Sequence, residues 1–116
     1  MSKPTEKPIR ELCAEARATA ASKGWDSFMI GDWDNPVRKD VLPRCLFLLV
    51  AEIAEAGEAY RRGKMRGDHG FVDEMADAFI RIMDIMGAFP DDFHAAIRQK
   101  MDFNTTRPAM HGGKKV

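Results

Sequence analysis

The sequence predicts an all-α fold, a helical bundle completed by oligomerisation. Apolar residues recur at helical spacing in four segments, and no segment shows the alternating pattern of a half-buried strand. Two of the predicted helices are so apolar that a chain of 116 residues offers little else to cover them. A homodimer or homotetramer is therefore expected.

The N-terminal third contains one predicted helix between two irregular segments. Residues 9–24 combine strong helix formers with apolar spacing, and Gly24 marks the end of the helix. Residues 1–8 contain two prolines and are predicted to form a flexible arm. Residues 25–36 mix aromatic side chains with Gly, Asp, Asn and Pro, which is typical of an irregular loop.

Two long helices form the predicted core. The first runs from Asp40, a plausible cap, to about Arg62. The second covers residues 71–87 and ends at a glycine shortly before a proline. A basic connector that contains glycines, residues 61–70, joins them.

The last predicted helix covers residues 91–104. It starts with two aspartates, which suit the positive end of a helix dipole. A single domain is thus predicted over residues 9–104, followed by an irregular basic tail over residues 105–116.

Composition excludes several classes of protein. Eighteen basic residues balance 18 acidic ones, which argues against a nucleic-acid polymer as partner. The longest apolar run is far shorter than the roughly 20 residues needed to cross a membrane. Cys13 and Cys45 lack a paired framework and are predicted to be reduced. With no signal segment at the start, a cytoplasmic location is expected.

Pairs of acidic residues occur three apart in both long helices. The segments "EIAE" (52–55) and "EMAD" (74–77) place Glu52 and Glu55 on the first helix and Glu74 and Asp77 on the second. At 100° per residue, Glu52 and Glu55 lie at the edge of the predicted buried stripe. The residues predicted to fill that stripe are Leu42, Leu46, Leu49, Ile53 and Tyr60.

Helical geometry leaves two interpretations of these acids open. They could belong to solvated faces with i, i+4 pairs such as Asp77–Arg81. Alternatively, the four carboxylates converge across an antiparallel helix pair and bind a hard cation such as Mg²⁺.

The order of the motifs resembles that of the MazG-like, all-α nucleoside triphosphate pyrophosphohydrolases. Besides "EIAE" and "EMAD", the ending "KMDFNTTRPAMHGGK" (100–114) is similar to this family, and the resemblance covers about residues 41–116. It implies hydrolysis of nucleoside triphosphates, deoxy or non-standard ones included, to the monophosphate and pyrophosphate. In this family Mg²⁺ is required, and Mn²⁺ is a possible substitute.

The resemblance also implies roles for individual residues. Glu52, Glu55, Glu74 and Asp77 would hold the metal, and Glu55, central among them, is the candidate catalytic base. Lysine and asparagine side chains on the last helix would contact the phosphates, and the basic tail would close near them. The candidate substrate-binding residues are Lys100, Asn104, Arg107 and Lys114.

Base recognition and the type of activity stay open. Aromatic side chains can stack on a nucleobase, and Trp25 and Trp33 in the irregular loop are the candidates. A core-packing role is the commoner one for large aromatic residues in small domains. Two other functions fit the sequence. One is a helical protein–protein interaction module without catalysis, and the other is a pyrophosphohydrolase of another nucleotide, such as an alarmone.

Overall fold

The computed structural model describes residues 8–23 and 40–108, and this part of the chain contains α-helices and no strand. The all-α prediction is confirmed. No helix in the described ranges is both long and apolar enough to cross a membrane. The aromatic loop and most of the predicted arm and of the basic tail lie outside the described residues. The helices are α1 (Ile9–Ser22), α2 (Val41–Arg61), α3 (Phe71–Gly87) and α4 (Phe93–Thr105).

The helix ends show which local signals the chain uses. α4 begins later than predicted because Asp92 caps it, with a carboxylate oxygen that accepts a hydrogen bond from the Ala95 N–H at 3.2 Å. Asp40 holds the predicted cap position of α2, but its side chain makes no capping bond and lies 3.7 Å from Arg44. α1 already ends at Ser22, whereas α3 has the predicted bounds.

The hydrophobic core lies where the start of α2 meets the end of α3. Close by, α1 crosses α3 at Gly87, where a Cβ atom would lie 2.6 Å from the carbonyl oxygen of Cys13. Only glycine allows the two helices to pack this closely. The core consists of buried Val41, Ile85 and Ala88, against which Leu42, Cys45 and Phe89 pack.

Small side chains bring α2 and α3 together beside the acidic residues. Ala56 and Ala59 on α2 and Ala78 on α3 are all buried. Because alanine projects little beyond the backbone, the two helices approach closely along this stretch. The acid-bearing turns of both helices therefore lie next to each other.

The outer side of α2 has no cover in the described chain. α4 packs on α1, through a smaller contact than those that join α1 and α2 to α3. The prediction of a buried stripe was therefore partly wrong, because Leu46, Ile53 and Tyr60 are 46%, 51% and 66% exposed. We call the exposed apolar residues Leu46, Phe47, Val50, Ile53 and Tyr60 the α2 apolar face.

Candidate metal centre

Acidic side chains from α2 and α3 converge at one place in the structure. One carboxylate oxygen each of Glu52, Glu55 and Glu74 lies within 4.8 Å of the others. Asp73 and Asp77 form a second such group with the same Glu74. Glu74 belongs to both groups. Together the two groups contain the four acids that the sequence singled out, and Asp73 as a fifth. We call these five residues the acid cluster.

Glu74 is the centre of the acid cluster and the only buried charged residue in the described ranges, with 3% of its surface exposed. A hydrogen bond with Glu55, burial, and the negative charges of Glu55 and Asp77 all raise the pKa of Glu74, whereas a hydrogen bond with His69 opposes this shift. The imidazole Nδ1 of His69 lies 3.6 Å from a Glu74 oxygen. Crowded carboxylates of this kind can be relieved by protons or by a cation.

Charged side chains of alternating sign link the cluster to α1. Arg81 on α3 donates a hydrogen bond to the Glu52 carboxylate at 3.4 Å. Farther along α3, Asp84 lies 3.3 Å from the guanidinium of Arg17 on α1. Burial raises the pKa of Asp84, and the positive charges of Arg17 and Arg81 act against that shift. Arg81 and Asp84 on α3 are therefore partly covered by the neighbouring helices.

A cavity of about 570 Å³ adjoins the cluster on the α1 side. Glu52 and Asp77 of the cluster line it, as do two other acids, Glu15 and Asp84, and the basic residue Arg81. We call it the α1 cavity. Its apolar wall is built from Leu12, Ala16, Ile80 and Met83.

A second cavity, of about 540 Å³, adjoins the cluster on the side of the connector between α2 and α3. Its lining includes Glu55 and Glu74 of the cluster and the basic residues Arg62, Lys64 and His69. We call it the connector cavity. The two cavities differ in character, since the α1 cavity has an apolar wall and the connector cavity has basic side chains.

The connector has a defined backbone that holds Lys64 in place. Gly63 has a φ of 78° and donates to the Tyr60 carbonyl, while the Lys64 N–H donates to the Ala59 carbonyl at 2.9 Å. This is a Schellman motif, a common end for a helix. The Lys64 carbonyl then accepts a hydrogen bond from the N–H of Phe71, the first residue of α3.

The other predicted site residues lie elsewhere or outside the described ranges. Lys100 and Arg107 are placed over the ring of Phe103, with their charged groups 5.3 and 5.7 Å from its centroid. In the described part of the chain, no ion pair or side-chain hydrogen bond joins Lys100 or Asn104 to the acid cluster. The residues outside the described ranges are Trp25, Trp33 and Lys114.

Sequence reasoning missed three residues around the cluster. Asp73 directly precedes the "EMAD" motif, so an acidic run was visible there. Arg81 was considered as a partner for Asp77, and its hydrogen bond to Glu52 on the other helix was not predicted. Nothing in the pattern distinguished Lys64 from the other basic residues of the connector.

The chemistry of the cluster suits a hard divalent cation. Its donors are carboxylate oxygens, the ligands that Mg²⁺ prefers, and Mg²⁺ needs few protein ligands because it keeps several waters. Comparisons of the chain with protein-family models, with curated proteins and with solved structures gave no match. The fold and the site therefore define an all-α chain with an acid cluster between two cavities.

Proposed function

We propose that this protein is a MazG-like, Mg²⁺-dependent nucleoside triphosphate pyrophosphohydrolase, which releases a nucleoside monophosphate and pyrophosphate. Canonical, deoxy and non-standard nucleotides are candidate substrates. The observation that carries the proposal is the convergence of Glu52, Glu55 and Glu74, from two helices, within 4.8 Å. The motif resemblance supplies the reaction class, and the geometry supports a site for its cation.

The acidic residues have distinct proposed roles. Glu52, Glu55, Glu74 and Asp77 hold Mg²⁺, with Mn²⁺ as a possible substitute. When bound, the ion neutralises phosphate charge and helps to orient the reacting groups. Glu55 is the candidate base that takes the proton of the attacking water, and it is exposed at the cluster. Arg81 holds the Glu52 carboxylate in place from α3.

The α1 cavity supports the choice of a nucleotide as substrate. Its volume, about 570 Å³, lies in the range of roughly 300–1,000 Å³ that is typical of small-molecule sites. An apolar wall suits the flat faces of a base, and the edge at Glu52 and Asp77 would meet the phosphates. Lys100, Asn104, Arg107 and Lys114 remain proposed phosphate contacts, and Trp25 and Trp33 remain proposed base contacts.

Assembly into a homodimer or homotetramer is part of the proposal. Phe47 and Val50 on the α2 apolar face are 74% and 60% exposed. Contiguous apolar surface of this kind is unusual on a monomer and marks interaction sites. A second copy of the chain would cover it and complete the helical bundle.

A panel assay of nucleoside triphosphates with Mg²⁺ tests the activity through pyrophosphate release. We expect a chelator to abolish release, and Glu52→Ala or Asp77→Ala to lower it at least about 100-fold, since bound metals contribute several kcal/mol to such reactions. Glu11→Ala is the control, because Glu11 is an exposed acid on α1 that lines neither cavity. A fully active Glu74→Gln/Asp77→Asn double variant would refute the proposal.

The α2 apolar face also fits a helical interaction module without catalysis. That function leaves the acid cluster without a ligand, so nucleotide and Mg²⁺ should not change the Tm. A true ligand at about 100 times its Kd stabilises the folded state by about 2.7 kcal/mol, which is easily measured. Chromatography of the products would in turn identify another substrate, such as an alarmone.

A further inference from the structure

In the connector cavity, three basic side chains share a pocket with two residues of the acid cluster. The acids are Glu55 and Glu74, and the basic residues are Arg62, Lys64 and His69. A cation bound by the acids would therefore share the cavity with positively charged side chains. An anion with several charged oxygens could contact both.

Lys64 differs from the other basic residues of this cavity. Arg62 is already engaged, since its guanidinium bonds to Glu58 at 3.2 Å. His69 lies beside Glu74. In the described part of the chain, no carboxylate lies within ion-pair distance of Lys64. Its ammonium group is thus available for a ligand.

The backbone presents Lys64 from a fixed position. Its N–H donates a hydrogen bond to the Ala59 carbonyl of α2, and its carbonyl accepts one from the N–H of Phe71 of α3. Both ends of its peptide backbone are therefore tied to the two helices that carry the acids. A glycine at position 70 permits this closed connector, because a Cβ atom there would lie 2.7 Å from the Arg66 backbone.

We propose that Lys64 binds the terminal phosphates of the substrate, which leave as pyrophosphate, so that the nucleotide lies across the acid cluster with its phosphate end in the connector cavity. The inference rests on the proposed function, because it takes a cation at the cluster as given. Three carboxylates, those of Glu55, Glu58 and Glu74, line the same cavity. A free anion would be repelled there, so pyrophosphate binds only together with Mg²⁺.

Calorimetry with inorganic pyrophosphate tests the inference on the full-length chain. We expect wild-type protein to bind pyrophosphate with Mg²⁺ and not without it. Lys64→Gln should weaken this binding about tenfold or more, the effect of losing a charge-assisted contact to phosphate. Lys64→Arg keeps the charge and should restore most of the affinity. Circular dichroism would confirm that the variants are folded.

Arg66→Gln is the matched control, because it removes the same charge from the same connector but from a residue outside the cavity lining. It should change pyrophosphate affinity less than about twofold, since an exposed charge acts weakly and is screened by salt. Equal effects of Lys64→Gln and Arg66→Gln would show general attraction and overturn the inference. So would wild-type protein that binds no pyrophosphate with Mg²⁺.

Nucleotide kinetics separate this inference from the proposed function. If no triphosphate is hydrolysed but pyrophosphate binding depends on Lys64, the proposed function fails and the phosphate site stands. If triphosphates are hydrolysed and Lys64→Gln leaves KM unchanged, the proposed function stands and the inference is wrong. The expected result is a KM raised about tenfold or more by Lys64→Gln for triphosphates, with unchanged inhibition by the monophosphate product.

Discussion

The two sides of α2 have opposite relations to water. On the side that meets α3, the Glu74 carboxylate of the neighbouring helix is buried, with 3% of its surface exposed. On the other side, Phe47 is 74% exposed. Globular chains normally bury aromatic side chains and expose carboxylates. The proposed cation would stabilise the buried carboxylate on one side, and the proposed second copy of the chain would cover the apolar residues on the other.

Val50→Asp places a charge on the α2 apolar face and should have the largest effect of the changes predicted here. Val50 is 60% exposed in the single chain, so the variant monomer can fold, but a charge there would be buried in an assembly. We expect the proposed homo-oligomer to dissociate to monomer, as measured by analytical ultracentrifugation.

Ala51→Asp provides the control for Val50→Asp. Ala51 is also exposed, but at 100° per residue it lies on the polar side of α2, close to Arg44 and Glu55. This variant should keep the wild-type assembly. A wild-type chain that is monomeric at high concentration would contradict the proposed oligomer.

Arg17→Met removes the ion pair between α1 and Asp84 of α3 and should have an intermediate effect. The pair between Arg17 and Asp84 is shielded, with side chains 15% and 14% exposed, so the variant leaves a carboxylate largely covered and without its partner on α1. We expect the free energy of unfolding to fall by about 1–3 kcal/mol, as measured by urea denaturation.

Arg10→Met is the matched control on the same helix. Its pair with Asp92 has side chains 53% and 46% exposed, and exposed pairs contribute at most about 1 kcal/mol. Equal losses for the two variants would show that burial of the Arg17 pair does not matter. The difference between their free energies of unfolding measures how much burial strengthens the contribution of the Arg17–Asp84 pair.

Glu74→Gln should sharpen the comparison and have the smallest effect, a modest rise in the Tm of metal-free protein at neutral pH. The raised pKa of Glu74 means that the folded state binds a proton more tightly than the unfolded state. Wild-type stability therefore falls as the pH rises through that raised pKa. The difference between variant and wild type should vanish at acidic pH, as followed by thermal melts.

Glu58→Gln tests whether any loss of an acid would do the same. Hydrogen bonding to Arg61 lowers the pKa of Glu58, which means that its ionised form is favoured in the folded state. This variant should not raise the Tm at neutral pH. If it does, net charge explains the stabilisation, and the crowding around Glu74 does not.

The sequence predicted the helices well because their signals are local. The bounds of α3 follow from its apolar spacing and Gly87, and α2 differs from its prediction only at its ends. The start of α4 was misplaced because both Asp91 and Asp92 can cap a helix, and only the geometry shows that Asp92 does so.

The site was only partly predictable because it depends on how helices pack. Spacing placed Glu52 and Glu55 on one edge of α2, but their approach to Glu74 depends on the close packing of α2 against α3. Lys64 is available to a ligand because it lines a cavity and has no carboxylate partner among the described residues. The spacing of residues in the sequence predicts neither property.

The hydrogen bonds from the start of α3 to the carbonyls of Lys64 and Met65 have a consequence for the order of folding. They close a short loop, and short loops cost little chain entropy, so the α2–α3 hairpin can form before α1 docks. Electrostatic repulsion between Glu55 and Glu74 is then met at the beginning of the folding reaction. We expect Mg²⁺ to accelerate refolding in stopped-flow experiments. An unchanged rate would mean that Glu55 and Glu74 come together only after the rate-limiting barrier.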